Sequence, residues 1–210
     1  MPCKEITIGE GLPGVRLSYG GATLDMALFG AHITSWTTIG AAGLPVERLW
    51  MSSCSAMDGS APIRGGIPIA WPQFANDGAL PLHGFVREQP WTVVESADND
   101  DKASTSATLE LVDSERTVNG TWREPSVAPF PHKFRLRFKA VLGATYLQLQ
   151  LQVTNLGPAG EAPAEDAPLL FTTCFHTYFR TADSTQVRLS GGLEGVNFVD
   201  KVCTHGSMSG

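Results

Sequence analysis

The stretch "RLRFKAVLGATYLQLQLQVT", residues 135–154, decides the fold class. Its first half sets Leu136, Phe138, Ala140 and Leu142 against Arg135, Arg137 and Lys139. Its second half sets Leu147, Leu149, Leu151 and Val153 against Gln148, Gln150 and Gln152. Successive side chains on a strand point to opposite faces, so a period of two means one apolar and one polar face. Gly143 and Ala144 supply a short turn between the halves. The expected product is an antiparallel hairpin whose polar face stays in water.

The same period recurs elsewhere. Strands are expected at residues 15–19, 22–29, 32–37, 91–96, 106–113 and 186–190. Residues 169–179, "LLFTTCFHTYF", read as one more, eleven residues rich in Phe, Thr and Tyr without Gly or Pro. One face would carry Phe171, Thr173, Phe175, Thr177 and Phe179. The other would carry Leu170, Thr172, Cys174, His176 and Tyr178. No segment sustains a helical period. The expected fold is all-β, an antiparallel sandwich forming one domain over residues 1–210. The Pro- and Ala-rich stretch at 157–168 reads as a loop, and residues 95–104 read as an acidic turn.

The net charge of −6 argues against a nucleic-acid surface, which needs a basic patch. A few arginines can still focus field on a small anion. The cysteines at 3, 54, 174 and 203 follow no zinc spacing and read as reduced thiols in a cytoplasmic protein. The N-terminus shows no signal run, and no apolar run is long enough to span a bilayer. "NGT" at 119–121 reads as a turn.

Residues 52–91 break the alternation. They are rich in Gly and Pro and hold Arg, His and aromatic residues together. Long ordered loops in compact domains are usually functional. Arg64 precedes Gly65 and Gly66, a pattern that fits a tight turn with a solvated arginine or a cradle for phosphate or carboxylate. His83 precedes Gly84, with Arg87 four residues on. Gln73 can donate and accept to hydroxyls. Trp71 and Phe74 read as core. His32, His132 and His205 read as structural or exposed. His176 is either a satisfied core histidine or an acid or base at the floor of a site.

Five segments in order carry a resemblance: "GAHITSW" (30–36), "APIRGGIPIAWPQF" (61–74), "LPLHGFVREQPW" (80–91), "FTTCFHTYFR" (171–180) and "LSGGLEGVNFVDK" (189–201). Together they resemble the hexose-6-phosphate mutarotases, or glucose-6-phosphate 1-epimerases, of the aldose 1-epimerase group. The resemblance implies a galactose-mutarotase-like antiparallel β supersandwich. It implies interconversion of the α and β anomers of a hexose 6-phosphate, without cofactor or metal. Its partner would be that small molecule, not nucleic acid or a membrane. Carried over by motif, His176 matches the general acid and His83 a second histidine near the ring oxygen. Arg64 and Arg87 match the substrate-binding arginines, and Gln73 is placed with them. Leu82 stands where the family often has Gln. The family continues past "GLEGVNFVDK" with strands that carry a sugar-binding Asp and the general-base Glu. The chain is therefore expected to be incomplete at its C-terminus. The alternative is a non-catalytic sugar-phosphate binding protein without the base. A metal site would need a third ligand beside His83 and His176, which the motifs do not supply.

Overall fold

Strands form where the period of two is unbroken, and they stop at glycine turns. The structure, a computed structural model, describes residues 3–99, 101, 103–113, 130–158, 168–188, 190–192 and 195–197. Five strands make one antiparallel sheet in chain order: β1 (Cys3–Ile8), β2 (Leu12–Tyr19), β3 (Ala22–Ala27), β4 (His32–Ile39) and β5 (Pro45–Glu47). Four make a second: β7 (Thr92–Asn99), β8 (Ser104–Val112), β9 (His132–Gly143) and β10 (Leu147–Pro158), ordered β10-β9-β8-β7. Between them in sequence lies β6 (Ile69–Ala70), which pairs with β11 (Cys174–Phe175).

The hairpin forms as the sequence predicts. β9 and β10 pair antiparallel with Leu142 opposite Leu147, Ala140 opposite Leu149 and Phe138 opposite Leu151. On β9 the residues Phe134, Leu136, Phe138, Ala140 and Leu142 are buried. They join Val15 and Leu17 of β2, Leu24 and Met26 of β3, and Ala107 and Leu109 of β8 in one core cluster. The two sheets thus close on each other through alternate residues, which is how a sandwich hides its apolar faces. Outward-facing residues pair across strands. Arg16 lies opposite Asp25 in register and donates to both its carboxylate oxygens at 2.6 and 2.7 Å.

Three readings of local structure change. β1 and β5 were not expected; both are sheet-edge strands with few buried residues, so their apolar signal is weak. The expected strand at 186–190 is not one. Gln186 closes a 3₁₀ turn at Ser184–Gln186, where the Asp183 carboxylate accepts from the Thr185 amide and hydroxyl. An aspartate that satisfies the backbone locally competes with ladder pairing. Residues 169–179 carry regular strand only at Cys174–Phe175, although backbone bonds extend the ribbon on either side.

The described chain falls into two compact units, Met1–Arg180 and Thr181–Gly210. The candidate site described below lies in the first. Among the described residues no helix is long and apolar enough to cross a membrane. Cys3, Cys54 and Cys174 are free thiols. Cys203, His205, the "NGT" segment and most of the 157–168 loop lie outside the described residues.

Candidate active site

The irregular segment 52–91 lies against the 172–180 ribbon. Thr172 N–H donates to Pro72 O, His176 N–H to Pro68 O and Tyr178 N–H to Gly66 O, at 2.9 to 3.0 Å. Cys174 and Phe175 complete this antiparallel run opposite Ala70 and Ile69. Phe175 sits against Phe138 of the core, their rings 5.7 Å apart. Alternation then turns His176 and Tyr178 the other way, as period two demands. Their rings stack at 4.8 Å and 25°.

The "RGG" turn is held from behind. His32 is buried at 1 % exposure, and its Nε2–H donates to Gly65 O at 2.8 Å. Gly66 has φ +61, and a Cβ there would fall on Ile33 O. Only glycine lets the turn approach β4 this closely. Burial pushes the His32 imidazole down to about 4, with its Gly65 bond opposing and Arg87 adding. The consequence for stability has a definite sign. The unfolded histidine takes up a proton near 6.5 and the folded one only near 4. Between these values the unfolded chain binds more protons, so stability falls as pH drops. His32 should contribute a loss of about 3 kcal/mol between neutral pH and pH ~4. Denaturant unfolding across that range should be flatter in His32→Gln. Parallel pH slopes in the two proteins would remove His32 as the source.

His83 and Gly84 turn the chain with φ +64 and +71. A Cβ at Gly84 would fall on Trp71 O, so the glycine permits the approach of the two loop halves. Arg87 follows on a 3₁₀ turn at Val86–Glu88, anchored by buried Val86.

These pieces enclose a cleft of about 530 Å³. Its lining includes Arg64, His83, Arg87, His176, Trp50 and Tyr178. Four of the five residues singled out from the motifs therefore meet in one place, though they come from positions more than a hundred residues apart. The His83 and His176 rings meet edge to face at 5.2 Å. Phe74 is half-buried beside both, 5.2 Å from His83 and 6.1 Å from His176, rather than in the core. Trp71 is core, fully buried among Phe85, Phe130 and Phe134.

The electrostatics favour an anion. Neither Arg64 nor Arg87 makes a salt bridge to a described carboxylate. The Arg87 Nη2 donates to Leu82 O at 2.7 Å, and its buried Nε has no partner. Burial lowers the Arg87 guanidinium from its ordinary range, Glu88 and Tyr178 oppose this, and Arg64 adds to it. Burial also lowers His83, with Arg87 and then His176 adding. No Asp or Glu is among the described residues lining the cleft. No third His, Cys, Asp or Glu gathers with His83 and His176 among the described residues.

Gln73 is not on the cleft wall. It is buried at 4 % exposure, and its amide bonds the backbone of Ala75 and Leu80. Thr172, on the His176 face of the expected strand, uses its hydroxyl on the loop, accepting from the Phe74 amide at 2.7 Å. Trp50 went unnoticed in the sequence. It follows the short β5 with no pattern around it, and reaches the cleft because its N–H donates to Tyr178 O. Its ring lies 6.0 Å from that of Tyr178.

Comparison with known proteins identifies the family and the fold. The sequence pattern of the aldose 1-epimerase family matches residues 14–209. A protein of Salmonella typhimurium named "Putative glucose-6-phosphate 1-epimerase" is 35% identical over 180 residues, 85% of this chain and 51% of its own length. Proteins of the same name from Escherichia coli and Cenchrus ciliaris are 34% and 30% identical. The chain thus spans about half the length of these curated relatives. The crystal structure of a "putative mutarotase" from Salmonella typhimurium superposes with a TM-score of 0.58 at 28% identity, over 72% of this chain and 46% of its own. A galactose mutarotase-like protein from Clostridium acetobutylicum shares the fold, with a TM-score of 0.55 at 16% identity over 73% of this chain and 49% of its own. The fold is galactose-mutarotase-like, and the chain belongs to the aldose 1-epimerase family.

Proposed function

We propose that this chain acts on a hexose 6-phosphate, interconverting its α and β anomers by acid–base ring opening. The observation that carries this reading is the meeting of two arginines without carboxylate partners among the described residues and two adjacent histidines in one cleft. In the reaction a base takes the proton from the anomeric O1 hydroxyl while an acid gives one to the ring oxygen. The C1–O5 bond breaks, C1 turns about C1–C2, and O5 closes on the other face as the protons return. His176 is the acid, on a ribbon backed by the core. His83 hydrogen-bonds the ring-oxygen side. Arg64 and Arg87 hold the phosphate, whose binding energy positions the distant ring. Arginine suits this because its planar fork matches phosphate oxygens. Trp50 and Tyr178 supply apolar surface for the sugar.

A second reading, a sugar-phosphate binding protein, is favoured by one observation. The described lining of the cleft has no carboxylate to act as base. One experiment separates the two. Exchange between the anomers of glucose 6-phosphate is measured by NMR with and without the protein, and binding is titrated in parallel. We expect exchange above the buffer rate, and a smaller gain for glucose. Binding without added exchange would support the second reading, and neither would sink both.

A further inference from the structure

His83 is held by a clamp that does not itself touch the cleft. The Ala75 N–H donates to His83 Nδ1 at 3.1 Å, and the His83 N–H donates back to Ala75 O at 3.1 Å. Both residues have positive φ, +53 at Ala75 and +64 at His83. Neither is a glycine, so this local conformation is sparsely populated and persists only where surroundings over-determine it. Gln73 provides those surroundings. Its Nε2 donates to Ala75 O at 3.0 Å and to Leu80 O at 3.1 Å, while its Oε1 accepts from the Leu80 N–H at 3.0 Å. One buried amide thereby ties both ends of the 75–80 loop. Gly78 lies so close that a Cβ there would fall on Gln73 Oε1.

The clamp has a chemical consequence. A backbone N–H can only donate, so Nδ1 of His83 must be an unprotonated acceptor. In a neutral imidazole the proton then sits on Nε2. With Nδ1 tied to Ala75, Nε2 is the ring nitrogen left for a ligand. We propose that Gln73 is a positioning residue: by fixing the backbone of Ala75 it locks His83 as the neutral Nε2–H tautomer, making it a fixed hydrogen-bond donor to the cleft. His83 would then donate without titrating, and the proton transferred in the reaction would come from His176. Burial, Arg87 and His176 all disfavour a charged His83, in agreement with that division. The catalytic consequence rests on the mutarotase reading, whereas the tautomer does not.

The test is imidazole ¹⁵N NMR on the full chain, with Gln73→Met and the near-isosteric Gln73→Glu. Met removes both hydrogen-bonding functions. Glu keeps the acceptor for Leu80 and loses the donor to Ala75. In the parent protein at pH 8, His83 should show an unprotonated Nδ1 and a protonated Nε2. In whichever variant folds, judged by circular dichroism, His83 should average between tautomers and titrate at a higher pH. Anomer exchange should fall in kcat by on the order of tenfold to 10²-fold, with KM for glucose 6-phosphate little changed, because the arginines are untouched. A protonated Nδ1 in the parent, or an unaltered His83 tautomer in a folded variant, would overturn the proposal. The NMR result needs no turnover. Absence of exchange in the parent would count against the mutarotase reading alone.

Discussion

His176→Asn is expected to lower catalysed anomer exchange by on the order of 10²-fold to 10⁴-fold, the usual contribution of a positioned acid or base. The fold should survive. The strand-like placement of this residue comes from its backbone, whose N–H bonds Pro68 O at 3.0 Å. The imidazole is half-buried and is held by stacking on Tyr178 and the edge of His83. Asparagine keeps a polar head of smaller size, so it leaves no charged or large unsatisfied group behind. Because the described lining of the cleft has no carboxylate, parent and variant are compared with and without added formate as an external base. Formate should accelerate the parent and have little effect on His176→Asn, which lacks the acid that must act together with it. The measurement is NMR exchange between the anomers of glucose 6-phosphate, with near-ultraviolet circular dichroism as the check on packing. Equal rates in parent and variant would remove His176 from the chemistry.

Arg87→Ala is expected to weaken glucose 6-phosphate binding about tenfold or more, from the roughly 1.5–3 kcal/mol of a hydrogen bond to a charged group. Glucose, which has no phosphate, should bind almost as before. The reason lies in how Arg87 is held. Its Nη2 is spent on Leu82 O, its buried Nε lacks a partner, and no described carboxylate forms an ion pair with it. Arg64 adds a second positive charge close enough to perturb it. Removing one charge from such a pair lowers the attraction for a dianion without emptying the rest of the cleft. Arg87→Lys should recover part of the loss, since it restores the charge but not the planar fork. Titration calorimetry with both sugars reads the result. An equal loss for the two would refute the phosphate role.

The sandwich was legible because its evidence is local. The alternation of residues 135–154 needs nothing beyond the strand period to place four apolar side chains of β9 in the core and three glutamines of β10 in water. The same holds for β2 and β3, where Val15, Leu17, Leu24 and Met26 are buried between less buried neighbours such as Arg16 and Asp25. The two edge strands of the first sheet were the exception. β1 and β5 bury little, so burial left no imprint on their sequence. At 186–190 an aspartate three residues upstream outcompeted a plausible alternation, since a side-chain cap forms without any partner strand.

The site was legible only in part. Arg64, His83, Arg87 and His176 could be singled out from ordered motifs, and the glycines beside two of them announced close backbone approach. Trp50 could not be found, because its place depends on one backbone bond to Tyr178 across the fold. Gln73 was read as a hydroxyl contact on chemistry alone, and Thr172 was placed on the face of His176 by alternation alone. Their hydrogen bonds turned out to be spent on the loop that frames the site. By itself, then, the amino-acid order determined the period-two strands, the hairpin and the candidates for acid and phosphate chemistry. Tertiary structure decided which of them face the same 530 Å³ of solvent. It also decided which nitrogen of His83 is free and which polar side chains are spent holding loops. The physical reason is that periodicity reports the face of a single element. A hydrogen bond between distant segments, such as Ala75 to His83 or His176 to Pro68, depends on the packing of several elements at once.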